Sequence, residues 1–349
     1  MKKIIILVLV FAVVVSATLY FLNRQLTLRQ NYLTNQKPII IGFSMGRTRE
    51  ERWFKDRDLF VQRAQELGAT VNVSLSDYDV ATQILQIENM ISQGASVIVV
   101  IPADSEKIAP VIEKAKAAGV KVIAYDSLIK NTDIDLYISF DSVKVGELQA
   151  ESLLSVINHG NFACIGGSPT DNNSILLKQG MMNILDPLVK SGDIKLVVDS
   201  FTDGWKPDVA YTTIQKYLDS GKPINAVMAA NDGIASGVIR ELQERGLAGK
   251  IPVSGQDAEL SATQRIIAGT QTSTVYKPIQ LLAFKAAEMA VDMANGQMPS
   301  VGNTIDNGKS LVPAYYLTPI LVNKNNMMDT VIKDGFHTYE EVYGLTPNK

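Results

Sequence analysis

The sequence predicts a doubly wound α/β architecture that occurs twice along the chain, preceded by one membrane-spanning helix. Short apolar, β-rich runs recur at regular spacing, each followed by a helix-length amphipathic stretch. Those runs are near-continuously apolar rather than alternating, the pattern of parallel strands covered on both faces. The part after residue 37 has about 310 residues, more than one hydrophobic core sustains, so two domains are expected.

The elements follow in chain order. Ile4 to Leu22 is an uncharged, almost wholly apolar run behind Lys2 and Lys3. As a helix it spans about 28 Å, close to the roughly 30 Å hydrocarbon core of a bilayer. Val15-Ser16-Ala17 offers a small-x-small site for signal cleavage. The apolar run continues past it through Leu19 to Leu22, and Tyr20 suits an interface, so a retained anchor is expected and a cleaved signal is the alternative. No cysteine stands near, which excludes a lipid-modified one. Residues 23–37 form a polar tether that reaches about 20 Å as a coil and about 50 Å when extended.

The run Ile39–Phe43 precedes a helix over Trp53–Leu67, and Thr70–Val73 precedes one over Asp79–Gln93. Val97–Ile101 precedes a helix that ends at Ala118, where Gly119 supplies the stop, and Lys121–Tyr125 follows. The alternation resumes with strands at Phe162–Ile165, Lys195–Val198, Ala226–Ala229, Val253–Gly255 and Thr272–Val275.

Ligands of such sheets bind beyond the carboxyl ends of the strands, so the polar residues there are the ones to read. They are Asp126, Asp171 to Asn173, Asp203-Gly204-Trp205, Asn231-Asp232, Gln256-Asp257 and Tyr276-Lys277. Planar side chains that donate and accept suit sugar hydroxyls. The two tryptophans, Trp53 and Trp205, offer flat faces for sugar C–H surfaces. Each of these residues also has a plainer role: a Trp closing the core, an Asp or Asn capping a helix at 126, 171, 231 or 257, a Lys facing solvent at 277. Gly166-Gly167-Ser168-Pro169 lacks the spacing and lysine of a phosphate loop and reads as a tight strand-to-helix turn.

Composition narrows the classes. The 33 Lys and Arg against 36 Asp and Glu are dispersed, so no nucleic-acid footprint is formed. The single cysteine, Cys164, reads as a buried strand residue, and no Cys, His and carboxylate cluster has the spacing of a metal site. No nucleophile–base pair or paired carboxylates stand out, so neither an enzyme nor a cofactor is expected.

Several motifs then fit one family: Glu51–Asp58, Gln86–Ile91, Tyr137–Asp141, Gly166–Asn173, Asp203–Trp205, Ser254–Ala258, Thr274–Ile279 and Val322–Asn326. Across about Ile39 to His337 the chain resembles the periplasmic D-xylose-binding proteins, type I sugar-binding proteins, in a membrane-anchored form. The resemblance implies two Rossmann-like lobes joined by three crossing segments that close on a pentose. One lobe is expected over 38–140 plus 276–305, the other over 141–275 plus 306–344. It implies ligand-binding roles for Arg52, Trp53, Asp126, Asp171, Asn173, Trp205, Asn231, Asp257 and Lys277. One position departs from the family pattern: its Asp-Arg pair reads Asp126-Ser127 here, and a guanidinium is missing. The expected protein is a single-pass, cell-membrane D-xylose receptor with its sugar-binding part extracytoplasmic. It would signal occupancy to a membrane sensor histidine kinase, the alternative being delivery to an ABC permease. A DNA-binding repressor is disfavoured, because the place of a helix-turn-helix is taken by the apolar run.

Overall fold

Two parallel-rich sheets organise the molecule. The computed structural model describes residues 18, 20–25 and 38–344. Residues 18 and 20–25 are helical and form part of a unit separate from the one that starts at Ile40. Among the described residues no helix is long and apolar enough to cross a membrane; most of the expected span, Ile4 to Leu22, and most of the tether lie outside them.

The first sheet contains β1 (Ile40–Met45), β2 (Thr70–Leu75), β3 (Val97–Ile101), β4 (Lys121–Tyr125), β5 (Leu136–Phe140), β11 (Asn303–Asp306) and β12 (Leu311–Leu317). Their order is β11-β12-β5-β4-β3-β1-β2, and only the β11–β12 pairing is antiparallel. β3 and β5 are buried along their whole length, which accounts for their unbroken apolar sequence. One face packs Ile98, Val100 and Val122 against Ile87 and Ile112. On the other, Phe43 meets Phe60 at 4.6 Å and Tyr125 at 5.6 Å between ring centroids.

The second sheet contains β6 (Gly160–Gly166), β7 (Ile194–Phe201), β8 (Ala226–Ala229), β9 (Val253–Gln256), β10 (Ser273–Tyr276) and β13 (Ile320–Val322). Its order is β13-β10-β9-β8-β6-β7, with β13 antiparallel at the edge. Cys164 lies on β6 inside its core, where burial lifts the thiol to about 12 and keeps it inert.

The chain passes between the lobes at three places: after Phe140, between Tyr276 and Ile279, and between Leu317 and Ile320. The third differs from expectation. β12 belongs to the first sheet, so a boundary between residues 305 and 306 cuts through β11, and the crossing comes about a dozen residues later. β11 has a single apolar residue and β12 contains Pro313, which hides both from an apolar-run reading.

Candidate functional site

The carboxyl ends of β1, β4, β6, β7, β8, β9 and β10 converge on one cavity. All nine residues singled out in the sequence line it: Arg52, Trp53, Asp126, Asp171, Asn173, Trp205, Asn231, Asp257 and Lys277. Arg47, Glu50 and Gln256 complete the wall. Arg47 and Glu50 come from the loop after β1, a strand whose predicted end at Phe43 fell two residues short and left that loop unread. Gln256, named with Asp257 among the polar strand-end residues, is absent from the set that the resemblance implies.

Helix capping explains two of the four acids and amides but not the others. Asp171 caps the helix Asn172–Ser191 by accepting from Asn173 N at 3.0 Å, and Asn231 caps Asp232–Glu244 by accepting from Ile234 N at 2.8 Å. Asp126 and Asp257 cap nothing; they sit at φ 63° and 89°, in the left-handed region that non-glycine residues seldom occupy. Neighbouring contacts hold Asp126 there: its carbonyl accepts from Ser139 Oγ at 2.6 Å, Tyr137 Oη at 3.0 Å and Asn173 Nδ2 at 2.9 Å. Such backbone strain persists only where the surroundings over-determine it, and it clusters at functional sites.

Arg52 is the node of the charge network. Its guanidinium meets Asp56 at 3.0 Å, Asp126 at 2.9 Å and Asp257 at 3.4 Å, and lies 4.5 Å over the Trp53 ring. Lys277, in the second crossing, reaches Asp257 at 2.8 Å. Arg47 pairs with Asp171 across the cleft. These three cations face five buried carboxylates, Glu50, Asp56, Asp126, Asp171 and Asp257. Burial pushes Glu50 and Asp56 up, against the pull of nearby donors and cations. Burial would also lift Asp126, but Arg52, then Lys277 and Arg47, hold its carboxyl below the usual range.

The two indoles are each pinned through nitrogen: Trp53 Nε1 donates to Glu50 at 2.6 Å, and Trp205 Nε1 donates to Asp171 at 3.2 Å. Trp205 lies against the backbone of Gly167, where a Cβ would come within 2.3 Å of the ring. The Gly-Gly turn therefore makes room for an indole as well as turning the chain. Gln256 Oε1 is buried in the cavity wall with no hydrogen-bond partner, leaving an acceptor unmet. His337 is structural, its Nε2 lying 2.8 Å from the carbonyl of Ala258. Among the described residues no group of three His, Cys, Asp or Glu is placed to hold a metal ion.

A cavity with aromatic walls, donors and acceptors in alternation, and more carboxylates than cations suits a neutral polyhydroxylated ligand. Hydroxyls can donate to the acids and accept from the cations at once, whereas an anionic ligand would be set against five carboxylates.

Comparison with known proteins agrees in kind. The model of the periplasmic binding protein domain matches residues 41–298. A D-xylose-binding periplasmic protein of Escherichia coli is 50% identical over 313 residues, covering 89% of this chain and 95% of that protein. One of the same description from Haemophilus influenzae is 48% identical, covering 88% and 93%. Among solved structures, an ABC transporter solute-binding protein from Clostridium phytofermentans with bound β-D-glucose superposes with a TM-score of 0.81. It is 28% identical and covers 87% of this chain and 99% of that one.

Proposed function

The chain belongs to the periplasmic binding protein family, and on that premise we propose that it is an extracytoplasmic receptor for a neutral aldopentose, D-xylose. The observation that carries this reading is the gathering of both tryptophans and seven hydrogen-bonding side chains, drawn from both lobes, around one cavity. Relatives at 50% and 48% identity described as D-xylose-binding support the choice of sugar.

In this reading the sugar enters an open cleft, lies between Trp53 and Trp205, and exchanges its hydroxyls for part of the ion-pair network. Arg52 and Lys277 donate to ring and hydroxyl oxygens; Asp126 and Asp257 accept from hydroxyls; Asn173, Asn231 and Gln256 do both or either. Closure follows from the ligand's preference for the closed arrangement and needs no other source of free energy. No bond is made or broken, so the protein acts by binding alone. A pentopyranose lacks the hydroxymethyl of a hexose, and a snug wall at that ring position would reject glucose by clash.

Titration calorimetry of the full chain tests this, with D-xylose against ribose, arabinose and glucose. Tight binding of xylose with weak binding of the others is expected; no binding of any aldopentose would sink the reading.

Delivery of the sugar to an ABC importer is the readout we place first, because a solved relative that covers nearly the whole soluble part is a solute-binding protein of that transporter class. A second readout has its own support. The apolar run Ile4–Leu22 and short tether favour a single-pass anchor, with the receptor standing beside a membrane sensor histidine kinase. Crosslinking in cells discriminates them: recovery of permease subunits favours import, and recovery of a kinase favours sensing.

A further inference from the structure

Arg47 and Asp171 occupy a place in the cavity that hydroxyl recognition does not explain. Arg47 leaves the loop after β1 in the first lobe, and Asp171 opens the helix Asn172–Ser191 in the second. Both are buried, at 3% and 1% exposure, and they form an ion pair. Ser127, also of the first lobe, donates its hydroxyl to Asp171 Oδ1 at 2.6 Å, and Arg47 Nη2 lies 3.4 Å from that hydroxyl.

Asp171 thus receives four donors: Arg47, Ser127, its own cap partner Asn173 N, and Trp205 Nε1. A carboxylate offers about four lone-pair sites, so this one is filled without a ligand. Two of its donors come from across the cleft and two from its own lobe. An ion pair of this kind forms only when the lobes meet, and buried charge of either sign is costly without its partner.

We propose that Arg47 is a latch for the closed state, with Asp171 as its socket, and that it supplies across the cleft the guanidinium that Ser127 does not. Arg47 acts as a positioning residue: by occupying Asp171 it orders the acceptor that pins Trp205, and it slows reopening once the sugar is in place. This rests on the proposed sugar-binding reading and concerns how that site holds its ligand.

The test is stopped-flow and equilibrium binding of D-xylose to the full-length protein and to Arg47→Met, Arg47→Lys and Arg47→Met/Ser127→Arg. Loss of a latch made after encounter appears in release, so Arg47→Met is expected to raise Kd about tenfold or more through faster release, with the on-rate within about twofold. Lysine keeps the charge but loses the planar fork, and its release rate should fall between those of Met and wild type. A guanidinium returned from position 127 should recover most of the loss. A Kd within about twofold of wild type in Arg47→Met, or a loss carried wholly by the on-rate, overturns the latch. Should Arg47→Met fold poorly, Arg47→Lys carries the same two criteria. Wild-type protein that binds no aldopentose refutes the sugar reading itself, whereas binding of xylose equally by wild type and both Arg47 variants refutes only the latch.

Discussion

The two aromatic walls of the cavity are held in different ways. The direct partners of Trp53 come from its own lobe: Glu50 accepts from its indole, Tyr78 donates to the same carboxylate at 3.1 Å, and Arg52 covers one ring face. Trp205 sits on a short turn, Asp203–Trp205, with φ of 59° at Gly204 and 58° at Trp205, and its indole is pinned by Asp171. That acid is shared with the first lobe through Arg47 and Ser127. The first wall is therefore set before closure, and the second is completed by it. A receptor of this design offers one ready surface for encounter and one that reports whether the lobes have met.

The largest expected effect strikes the self-contained side. Arg52→Ala strands Asp56 and Asp126 in the first lobe and removes a partner of Asp257, all buried. Breaking buried pairs by removing one partner costs about 3–5 kcal/mol, so unfolding in denaturant should show a loss of that size together with loss of xylose binding. A variant as stable as wild type would mean that the three acids are reached by solvent and that the first wall is less fixed than the contacts indicate.

Next comes Trp205→Ala, for which xylose affinity should fall at least about tenfold, with the fold's stability less affected than in Arg52→Ala. Near-unchanged affinity would remove Trp205 from the site. Gly167→Ala sharpens the point without deleting the indole. The new methyl would overlap the Trp205 ring, which must swing away, and overpacking of this kind costs about 1–3 kcal/mol. Binding measured by calorimetry should weaken about tenfold or less, while Trp53 stays in place. Affinity equal to wild type would show that the second wall tolerates displacement.

These residues differ in how far the sequence revealed them. The strands that carry the site are unbroken apolar runs, and reading the residue after each one finds Asp126, Asn231, Asp257 and Lys277. Sequence position cannot tell a capping acid from one held in the left-handed region, so Asp171 and Asn231 look the same as Asp126 and Asp257 until backbone angles are known. Arg47 and Glu50 were hidden because their loop lies between a strand and a helix with no periodicity of its own. The cross-cleft pairing of Arg47 depends on two segments 124 residues apart, a distance over which local patterns carry no information. The late strands β11 and β12 failed for a related reason: β11, with one apolar residue, is held by pairing with β12, and β12, interrupted by Pro313, by pairing with β5.

The smallest effect tests whether closure presses like charges together on the far side of the cavity. Glu259, beside Asp257, is lifted to about 8 by burial first, then by Asp232, Asp257 and Glu50. Glu50 belongs to the first lobe and the other three to the second. A carboxyl whose folded value lies above its ordinary 4.5 keeps its proton in the fold after the unfolded chain has released it. Its contribution to stability is therefore full below about pH 4.5 and declines as pH rises toward about 8. Glu259→Gln removes that slope. The thermal midpoint of the variant relative to wild type should rise between pH 5 and 8, on the order of 2–4 °C, and level off above. A difference that does not change with pH would mean that burial and the neighbouring acids together leave Glu259 ionised in the fold over that range. A rise that steepens when xylose is bound would tie it to closure, because only the closed lobes hold Glu50 near Glu259.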